Sequence, residues 1–338
     1  MTRFSKHMRP ARRRLLAGVG AAAAWLTISP LAFAQTQAEY PAHPVTVIVP
    51  YAPGGQGDVF ARLLGEKLGK SLQQTVVVEN RPGASGAIGA RMIAREKPDG
   101  YKLLLGQTGE IAVNPFAMRD AGYDPQKELL PVALVGDSPL VLVVPTNSPY
   151  QSLSQLIEAA KAKSEGVSYA SSGTATPGHL AAAALALGTK TKMVHVPYKG
   201  AGQAMTDLLG NHVDFFFSSA AAAMPHVSAG KLRALAVSTP ERIAALPDVP
   251  TIAESTVPGF EFSLWGGYFA PAGTPANVVT TLNREINAAL ADPAIRARFE
   301  ADGVVIRPFT AEEFATFVGR EQDKYKRLVE QTGVRAEN

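Results

Sequence analysis

Short apolar runs alternate with helical patterns along most of this chain, and the alternation restricts the fold more than any other feature. Ten of the runs have strand length, and they lie at 45–50, 75–79, 102–105, 131–135, 140–144, 167–170, 193–196, 212–216, 232–237 and 266–270. Apolar, β-branched strands separated by helices are typical of parallel sheets covered on both faces. We therefore predict an α/β fold, with two sheets because ten strands exceed a comfortable single sheet.

Helical patterns fill the intervals between these runs and continue alone after Pro271. The predicted helices lie at 58–71, 88–96, 153–163, 179–187, 203–209, 275–290, 293–301 and 311–332. Turn-forming residues around 138–149 and 258–260 predict that the chain crosses twice between two domains. We expect a first domain at 35–139 and 263–338, with a second domain at 140–262 inserted into it. Two crossings form a two-stranded hinge beside a cleft.

The N-terminal 34 residues have the pattern of a cleavable secretory signal peptide. Arg12, Arg13 and Arg14 precede an apolar stretch at 15–28, and Ala32-Phe33-Ala34 provides the small-x-small pattern of a cleavage site before Gln35. The alternative is a membrane anchor, but the stretch is shorter than the roughly 20 residues that span a bilayer. The arginines fit both Sec export and twin-arginine export, and that choice stays open.

Removing the signal changes the charge of the protein and the classes of partner that it suggests. Residues 1–34 carry six of the 33 Lys+Arg and none of the 29 Asp+Glu, so 27 basic and 29 acidic residues remain, a net charge of −2. The basic character of the whole chain therefore gives no indication of a nucleic-acid partner. There is no cysteine, which excludes disulfides and thiolate metal sites. We expect a periplasmic location.

Three glycine-rich corners, each following a strand and leading into a helix, are the strongest candidates for a binding site. They read VPYAPGGQGDVFAR at 49–62, SYASSGTATPGH at 168–179 and VPYKGAGQ at 196–203. Small residues let the backbone approach a ligand, and the unpaired N–H groups of a first helical turn attract anions. In parallel sheets such corners meet where ligands bind. Ordinary strand-to-helix turns remain the alternative.

Other kinds of site fit the sequence less well. Gly55-x-Gly57-x-x-Phe60 lacks the third glycine of a dinucleotide fingerprint, so no cofactor is predicted. Ser171 or Ser172 with His179 could form a nucleophile and base, but no third group is identifiable. The histidines show no paired ligand spacing, and no metal site is predicted.

Several motifs in a fixed order resemble one family. They include APGGQGD at 52–58, VVVENRPGASGAIGA at 76–90, PDGYKLLLG at 98–106, SSGTATPGHL at 171–180, VPYKGAGQAMTDLLGNHVD at 196–214 and ALPDVPTIAES at 245–255. This set resembles the Bug family (Bordetella uptake gene type) of extracytoplasmic solute-binding proteins. The family serves tripartite tricarboxylate transporters. The resemblance implies a type II periplasmic binding protein with two α/β domains that close around a carboxylate.

The resemblance also implies which residues contact the ligand. They are Ala52, Gly54, Gly55, Gln56, Gly57 and Asp58 in the first corner, Ser171, Ser172, Gly173, Thr174 and His179 in the second, and Tyr198, Gly200, Ala201 and Asp207 in the third. Gln107 and Thr108 follow the strand at 102–105 and are expected at the floor of the cleft.

The expected partners are a small carboxylate ligand and the integral membrane subunits of such a transporter, with the receptor itself a monomer. Family ligands range over amino acids, di- and tricarboxylates and aromatic acids, so the resemblance does not identify the ligand. The rival hypothesis is a periplasmic enzyme that acts on a carboxylate or another small anion in the same cleft. Such an enzyme would require an acid or base with a strongly shifted pKa in the cleft.

Overall fold

A computed structural model describes residues 40–336 of the chain, and the predicted signal peptide lies outside the described residues. Within them there are nine strands: β1 Val45–Val49, β2 Val76–Asn80, β3 Lys102–Gln107, β4 Leu129–Pro145, β5 Val167–Ser171, β6 Met193–Pro197, β7 Phe215–Ser219, β8 Leu232–Val237 and β9 Ser263–Pro271.

All but one of the longer helices lie close to where the sequence pattern predicts them. They are α1 Gln56–Ser71, α2 Ala87–Ala94, α5 Leu153–Ala162, α6 Pro177–Thr189, α7 Ala201–Leu209, α8 Ala220–Ser228, α10 Ala276–Leu290, α11 Pro293–Ala301 and α12 Ala311–Thr332. Three short helices complete the set: α3 Asn114–Ala117, α4 Pro125–Glu128 and α9 Ile252–Ser255. Helix α8 was not predicted, because its alanine run carries no amphipathic period.

Strand β4 holds the sheet together, because its two halves pair with different strands. Residues 129–139 pair with β9, and residues 140–145 pair with β7 on one edge and β8 on the other. We call the part built on β1, β2, β3, β9 and the first half of β4 lobe 1. The part built on β5 to β8 and the second half of β4 is lobe 2. The exact domain boundaries at 139/140 and 262/263 stay predictions.

The prediction of two separate strands at 131–135 and 140–144 is wrong, because both belong to the single strand β4. Pro139 does not interrupt the strand since it pairs with Ser263 at the point where the ladder changes partner. Beyond it, Leu140 N–H donates to Ser238 Oγ at 2.9 Å and Leu140 pairs with Ser219. Proline is tolerated at such a point because no ladder hydrogen bond requires its missing N–H.

The sheet is mixed rather than parallel, which corrects a second expectation. Strand β1 is parallel to β2 and β3, and β5 is parallel to β6 and β7. Strand β9 is antiparallel to β3 and β4, and β4 is antiparallel to β7 and β8. The two sheets expected from the strand count are joined into one nine-stranded sheet by β4. The antiparallel strands are the two that carry the chain between lobes.

The strand predicted at 212–216 lies three residues later, at Phe215–Ser219. His212 belongs instead to the turn after α7, where its N–H donates to Asp207 O at 2.9 Å. Asn211 has a φ of 58°, a conformation that ends the helix and delays the strand. This shift brings Ser219 to the carboxyl end of β7, at the start of α8.

The hydrophobic core continues from one lobe into the other. Leu134 and Leu142, which lie on either side of the partner change in β4, belong to one hydrophobic cluster. A second cluster fills lobe 1 beneath α1 and α10, and a third fills lobe 2 beneath α7 and α8. No helix within residues 40–336 is long and apolar enough to cross a bilayer.

Candidate ligand-binding site

The loop between β1 and α1 is held in place by Asp58, in the first turn of α1. Gly54 N–H donates to Asp58 Oδ2 at 3.1 Å, while Arg62 Nε and Asn80 Nδ2 donate to Oδ1 at 3.0 and 3.1 Å. Burial alone would raise the pKa of Asp58, but these hydrogen bonds and the Arg62 charge together hold that pKa below its usual value. Asp58 therefore shapes the loop as a charged carboxylate that is already bonded on both oxygens.

Tyr51, in the same loop, is supported from below by a buried carboxyl group. Its hydroxyl lies 2.9 Å from Glu110 Oε2 and 3.1 Å from Ser85 O. Glu110 is fully buried, and its Oε1 accepts a hydrogen bond from Gln107 N–H at 2.6 Å. Burial raises the pKa of Glu110 to about 8, so the group is largely neutral at pH 7. The Tyr51 ring is fixed at the edge of the cleft by this contact.

The corner between β5 and α6 is braced by two histidines that lie beneath it. Ser171 Oγ donates to Gly173 O at 2.8 Å and lies 2.6 Å from His195 Nε2. Ala175, at a φ of 60°, donates its N–H to His179 Nδ1 at 3.0 Å. The rings of His179 and His195 stack with centroids 3.7 Å apart. The histidines thus set the conformation of the corner from below.

The two lobes touch at the predicted corners, through one backbone hydrogen bond and one hydrogen bond from the Ser85 side chain. Ala52 N–H in lobe 1 donates to Lys199 O in lobe 2 at 3.2 Å. Ser85 Oγ in lobe 1 donates to Thr174 O in lobe 2 at 2.5 Å. Both hydrogen bonds run from a donor in lobe 1 to an acceptor in lobe 2, so the structure represents an arrangement in which the lobes are closed onto each other.

Glycines make this close approach possible in the third corner. A Cβ on Gly202 would lie 2.3 Å from Pro53 O, and a Cβ on Gly200 would lie 2.9 Å from Ala52 N. Both distances are too short for a side chain against rigid backbone. We therefore attribute the glycine pair at 200 and 202 to the contact between lobes.

Behind this contact lies a small, partly open space of about 40 Å³, which we call the inner cavity. It is bordered by Tyr51, Ala52, Gly55, Gln56, Gly57, Asp58, Gln107, Leu140, Ser172, Thr176, Pro177, Gly178, Ala201, Phe217, Ser219 and Leu264. Both lobes contribute bordering residues. The residues from lobe 1 and lobe 2 meet at Leu140, where β4 changes its pairing partner. None of these residues is a lysine or an arginine.

Four helices begin at the inner cavity: α1, α6, α7 and α8. The N–H groups of Gln56, Gly57, Gly178 and Ala201 have no protein acceptor among the described residues. Such groups at helix starts carry partial positive charge and bind anions. The inner cavity can therefore stabilise one negatively charged group without a basic side chain.

Outside the inner cavity lies a larger open space of about 430 Å³, which we call the outer cavity. Tyr51 and Ser172 border both spaces. The outer cavity is further bordered by Gly83, Ala84, Ser85, Gly86, Met118, Gly173, Thr174, Pro197, Tyr198, Lys199, Gln203 and Ala336.

Most of the predicted site residues are brought together here. The inner cavity is bordered by eight of them: Ala52, Gly55, Gln56, Gly57, Asp58, Gln107, Ser172 and Ala201. The outer cavity is bordered by Gly173, Thr174 and Tyr198. Gly54 and Gly200 border neither space but lie at the contact between lobes, where each faces the opposite loop. Direct contact of any of these residues with a ligand stays a prediction.

Besides Gly54 and Gly200, four predicted residues border neither cavity. Thr108 bonds the backbone of Trp265 in the core of lobe 1, and Ser171 is buried beneath its own corner. His179 stacks on His195 and has its Nδ1 occupied by the Ala175 N–H, so it supports the corner from beneath. Asp207 accepts a hydrogen bond from Tyr198 OH at 2.6 Å on the outer face of α7. Their positions do not support direct ligand contact for any of the four.

Several bordering residues were missed by sequence reasoning. Thr176, Pro177 and Gly178 lie within the second corner, and a Cβ on Gly178 would lie 2.6 Å from Phe217 O. The close packing of α6 on β7 therefore requires glycine at position 178, and only the three-dimensional structure reveals this contact. Ser219 caps α8 through its side chain and was missed because the strand before it was placed three residues too early. The pair Ser218-Ser219 after an aromatic run was the available signal.

The sequence matches the family described as "Tripartite tricarboxylate transporter family receptor" over residues 60–334. The chain belongs to this family. Protein BugT of Bordetella pertussis (strain Tohama I) is 38% identical over 323 residues, which cover 95% of this chain and 98% of BugT. The resemblance to Bug proteins is thereby confirmed, and the family is one of transport receptors rather than enzymes.

Solved structures of similar proteins share the fold. Periplasmic binding protein BugD is 35% identical with a TM-score of 0.84, covering 88% of this chain and 100% of BugD. An R. palustris protein with adipate is 32% identical with a TM-score of 0.85, covering 88% of this chain and 99% of the other. MatC of Rhodopseudomonas palustris with bound malate is 31% identical with a TM-score of 0.82, covering 86% and 100%. The α/β periplasmic binding-protein fold is confirmed.

The stacked histidines make the stability of the protein depend on pH. Burial lowers the pKa of His179 to about 3, helped by the neighbouring His195, and burial lowers the pKa of His195 to about 4. Below the ordinary value of 6.5, the unfolded chain therefore binds protons that the folded protein does not. The free energy of unfolding must fall as the pH drops from 6.5 towards these folded values.

We expect the variant His179→Asn to show a weaker loss of stability on acidification. The asparagine Oδ1 can still accept the Ala175 N–H, but it does not titrate. Between about pH 7 and pH 4.5 the wild-type free energy of unfolding should fall by roughly 2 kcal/mol more than that of the variant. Urea unfolding at each pH measures this difference in slope, independently of any constant destabilisation.

The matched control is His43→Asn, because His43 lies exposed on the surface of lobe 1. This variant should keep the extra loss of stability on acidification, because the stacked pair of His179 and His195 is unchanged in it. Equal slopes for His179→Asn and the wild type would contradict the assignment of this proton linkage to the stacked pair.

Proposed function

We propose that this protein is a periplasmic receptor that captures a small carboxylate and delivers it to a tripartite tricarboxylate-type membrane transporter. The observation that supports this most strongly is the inner cavity, where the starts of α1, α6, α7 and α8 meet between the lobes. Its free N–H groups suit one carboxylate group, which carries a single charge shared between two acceptor oxygens.

Two features favour a carboxylate over a more highly charged anion. Among residues 40–336, no lysine or arginine borders the inner cavity, and the one carboxylate there, Asp58, is already neutralised by Arg62. A phosphate with two charges would meet only backbone dipoles. The similar proteins with adipate and malate supply independent support, because both of those ligands are carboxylates.

Domain closure would couple ligand binding to a change in shape. The inner cavity is complete only while Ala52 and Ser85 touch lobe 2, because residues of both lobes form its walls. A ligand that contacts both walls binds the closed form more tightly and shifts the population towards it. We propose domains at 35–139 with 263–338 and at 140–262, with the hinge at β4 and at the loop that precedes β9.

The proposed partners follow from this closed form. Membrane subunits would recognise the surface that closure creates, with the receptor acting as a monomer. The predicted signal peptide would deliver the protein to the periplasm. The alternative of an enzyme in the same cleft has no support from the family, whose members act as transport receptors.

A thermal-shift screen of the mature protein should identify the ligand class. We expect at least one carboxylate among malate, succinate, adipate, citrate, glutamate and benzoate to raise the melting temperature by several degrees. At a concentration of about 100 times Kd, mass action adds about 2.7 kcal/mol to the free energy of unfolding. Phosphate and glucose are the comparison compounds. If either of these stabilises the protein and no carboxylate does, the proposed ligand class is wrong.

The variant Gly57→Ala should weaken binding of the carboxylate found in that screen. An added Cβ would lie 2.8 Å from Gln107 Nε2 and 2.9 Å from its Cδ, so the amide must move at the border of the inner cavity. We expect Kd, measured by calorimetry, to rise about tenfold or more, since misplaced polar contacts cost about 1.4 kcal/mol or more.

Gly319→Ala is the matched control, because a Cβ at this position in α12 would meet no atom within 4 Å. This control should bind as the wild type does and be slightly more stable, as expected for alanine in a helix. Unchanged affinity in Gly57→Ala would exclude the inner cavity as the ligand site.

A further inference from the structure

The inner cavity is too small to hold a complete ligand. Its volume of about 40 Å³ leaves room for about three waters or one carboxylate group. Sites for whole small molecules usually measure roughly 300–1,000 Å³. A ligand whose carboxylate enters the inner cavity must therefore place the rest of its atoms elsewhere.

The outer cavity is the adjacent space of sufficient size, at about 430 Å³. It meets the inner cavity at Tyr51 and Ser172, which border both. Tyr51 is fixed there by Glu110 and Ser85. The two spaces therefore adjoin at Tyr51 and Ser172.

The backbone on the lobe 1 side of the outer cavity has an unusual conformation. Gly83, Ala84, Ser85 and Gly86 have consecutive positive φ angles of 136°, 45°, 50° and 88°. Left-handed backbone at alanine and serine is uncommon and costs energy, and it tends to persist at sites of function. Here it turns the Ser85 hydroxyl towards Thr174 O across the cleft, and it forms one wall of the outer cavity.

The charge of the outer cavity differs from that of the inner cavity. Lys199 borders it, whereas no aspartate or glutamate is among its bordering residues within 40–336. Lys199 forms no salt bridge with the described residues. Its main chain is held on both sides, because its carbonyl accepts the Ala52 N–H and its N–H donates to Gln203 Oε1 at 3.2 Å. Closure thus fixes the base of this lysine at the outer cavity.

We propose that the outer cavity is a second anionic subsite, in which Lys199 pairs with a second acidic group of the ligand. This inference rests on the proposed function and makes it more specific. The ligand class is a dicarboxylate of extended shape, with one carboxylate at the helix starts of the inner cavity. Its chain passes Tyr51 and Ser172, and its other carboxylate faces the Lys199 ammonium.

The experiment compares diacids with half-esters of equal length. Succinate, glutarate and adipate are each paired with their monomethyl ester, which keeps the chain but removes one charge. Kd is measured by calorimetry for the wild type, for Lys199→Met and for Lys199→Arg. Lys161→Met is the control. Lys161 lies exposed on α5 of the same lobe and borders neither cavity, so this substitution removes the same charge at a distance from the proposed subsite.

For the best-bound diacid we expect Lys199→Met to raise Kd about tenfold, the usual size of a charge-assisted contact that is partly solvated. The half-ester Kd should change less than about twofold, so the wild-type preference for the diacid disappears. Lys199→Arg should retain most of that preference, and Lys161→Met all of it. Lys199 is exposed, so circular dichroism should show folded protein in every variant.

Three results would overturn the subsite. The first is that the wild type binds diacid and half-ester with equal affinity. The second is that Lys199→Met raises the Kd of both by the same factor, and the third is that this variant changes the Kd of neither. In each of them a carboxylate still binds, and the proposed function stands. If neither diacids, half-esters nor other carboxylates bind the wild type, the proposed function itself fails, and the subsite fails with it.

Discussion

The backbone ladder of β4 is the constraint on which the rest of the structure depends. One strand of 17 residues pairs with β9 over its first half and with β7 and β8 over its second half. The change of partner at Pro139 and Leu140 places the two lobes side by side in one sheet. Because the strands on each side end near this point, the helices that follow them begin around a common space.

That common space explains how an anion can be held without a basic residue at its centre. Each helix start contributes partial positive charge from N–H groups that lack an acceptor, and burial from water strengthens such dipoles. This arrangement restricts the backbone conformation, because two backbones must approach closely. The approach depends on the glycines at 54, 200 and 202 and on the left-handed residues at 83–86. The same contacts limit the inner cavity to a single small group.

Much of this arrangement could be predicted from the sequence. Strand and helix periodicity located most elements within a few residues, and the three glycine-rich corners correctly indicated where the lobes meet. The pattern could not show that Pro139 sits at a change of partner, because that depends on pairing with distant strands. Nor could it show that His179 faces His195 rather than the cleft, because α6 is apolar on nearly every face and its pattern does not indicate which way His179 points. Local patterns specify elements, whereas long-range packing decides which side chains border a cavity.

We expect the backbone N–H groups at the helix starts to bind the ligand carboxylate. The most direct test is a titration of isotope-labelled mature protein with the tightest-binding diacid, followed by amide NMR. We expect the largest downfield proton shifts at Gln56, Gly57, Gly178 and Ala201, all reaching half of their maximum at a free ligand concentration equal to the Kd measured by calorimetry. Unshifted signals for these four amides in the saturated complex would contradict it.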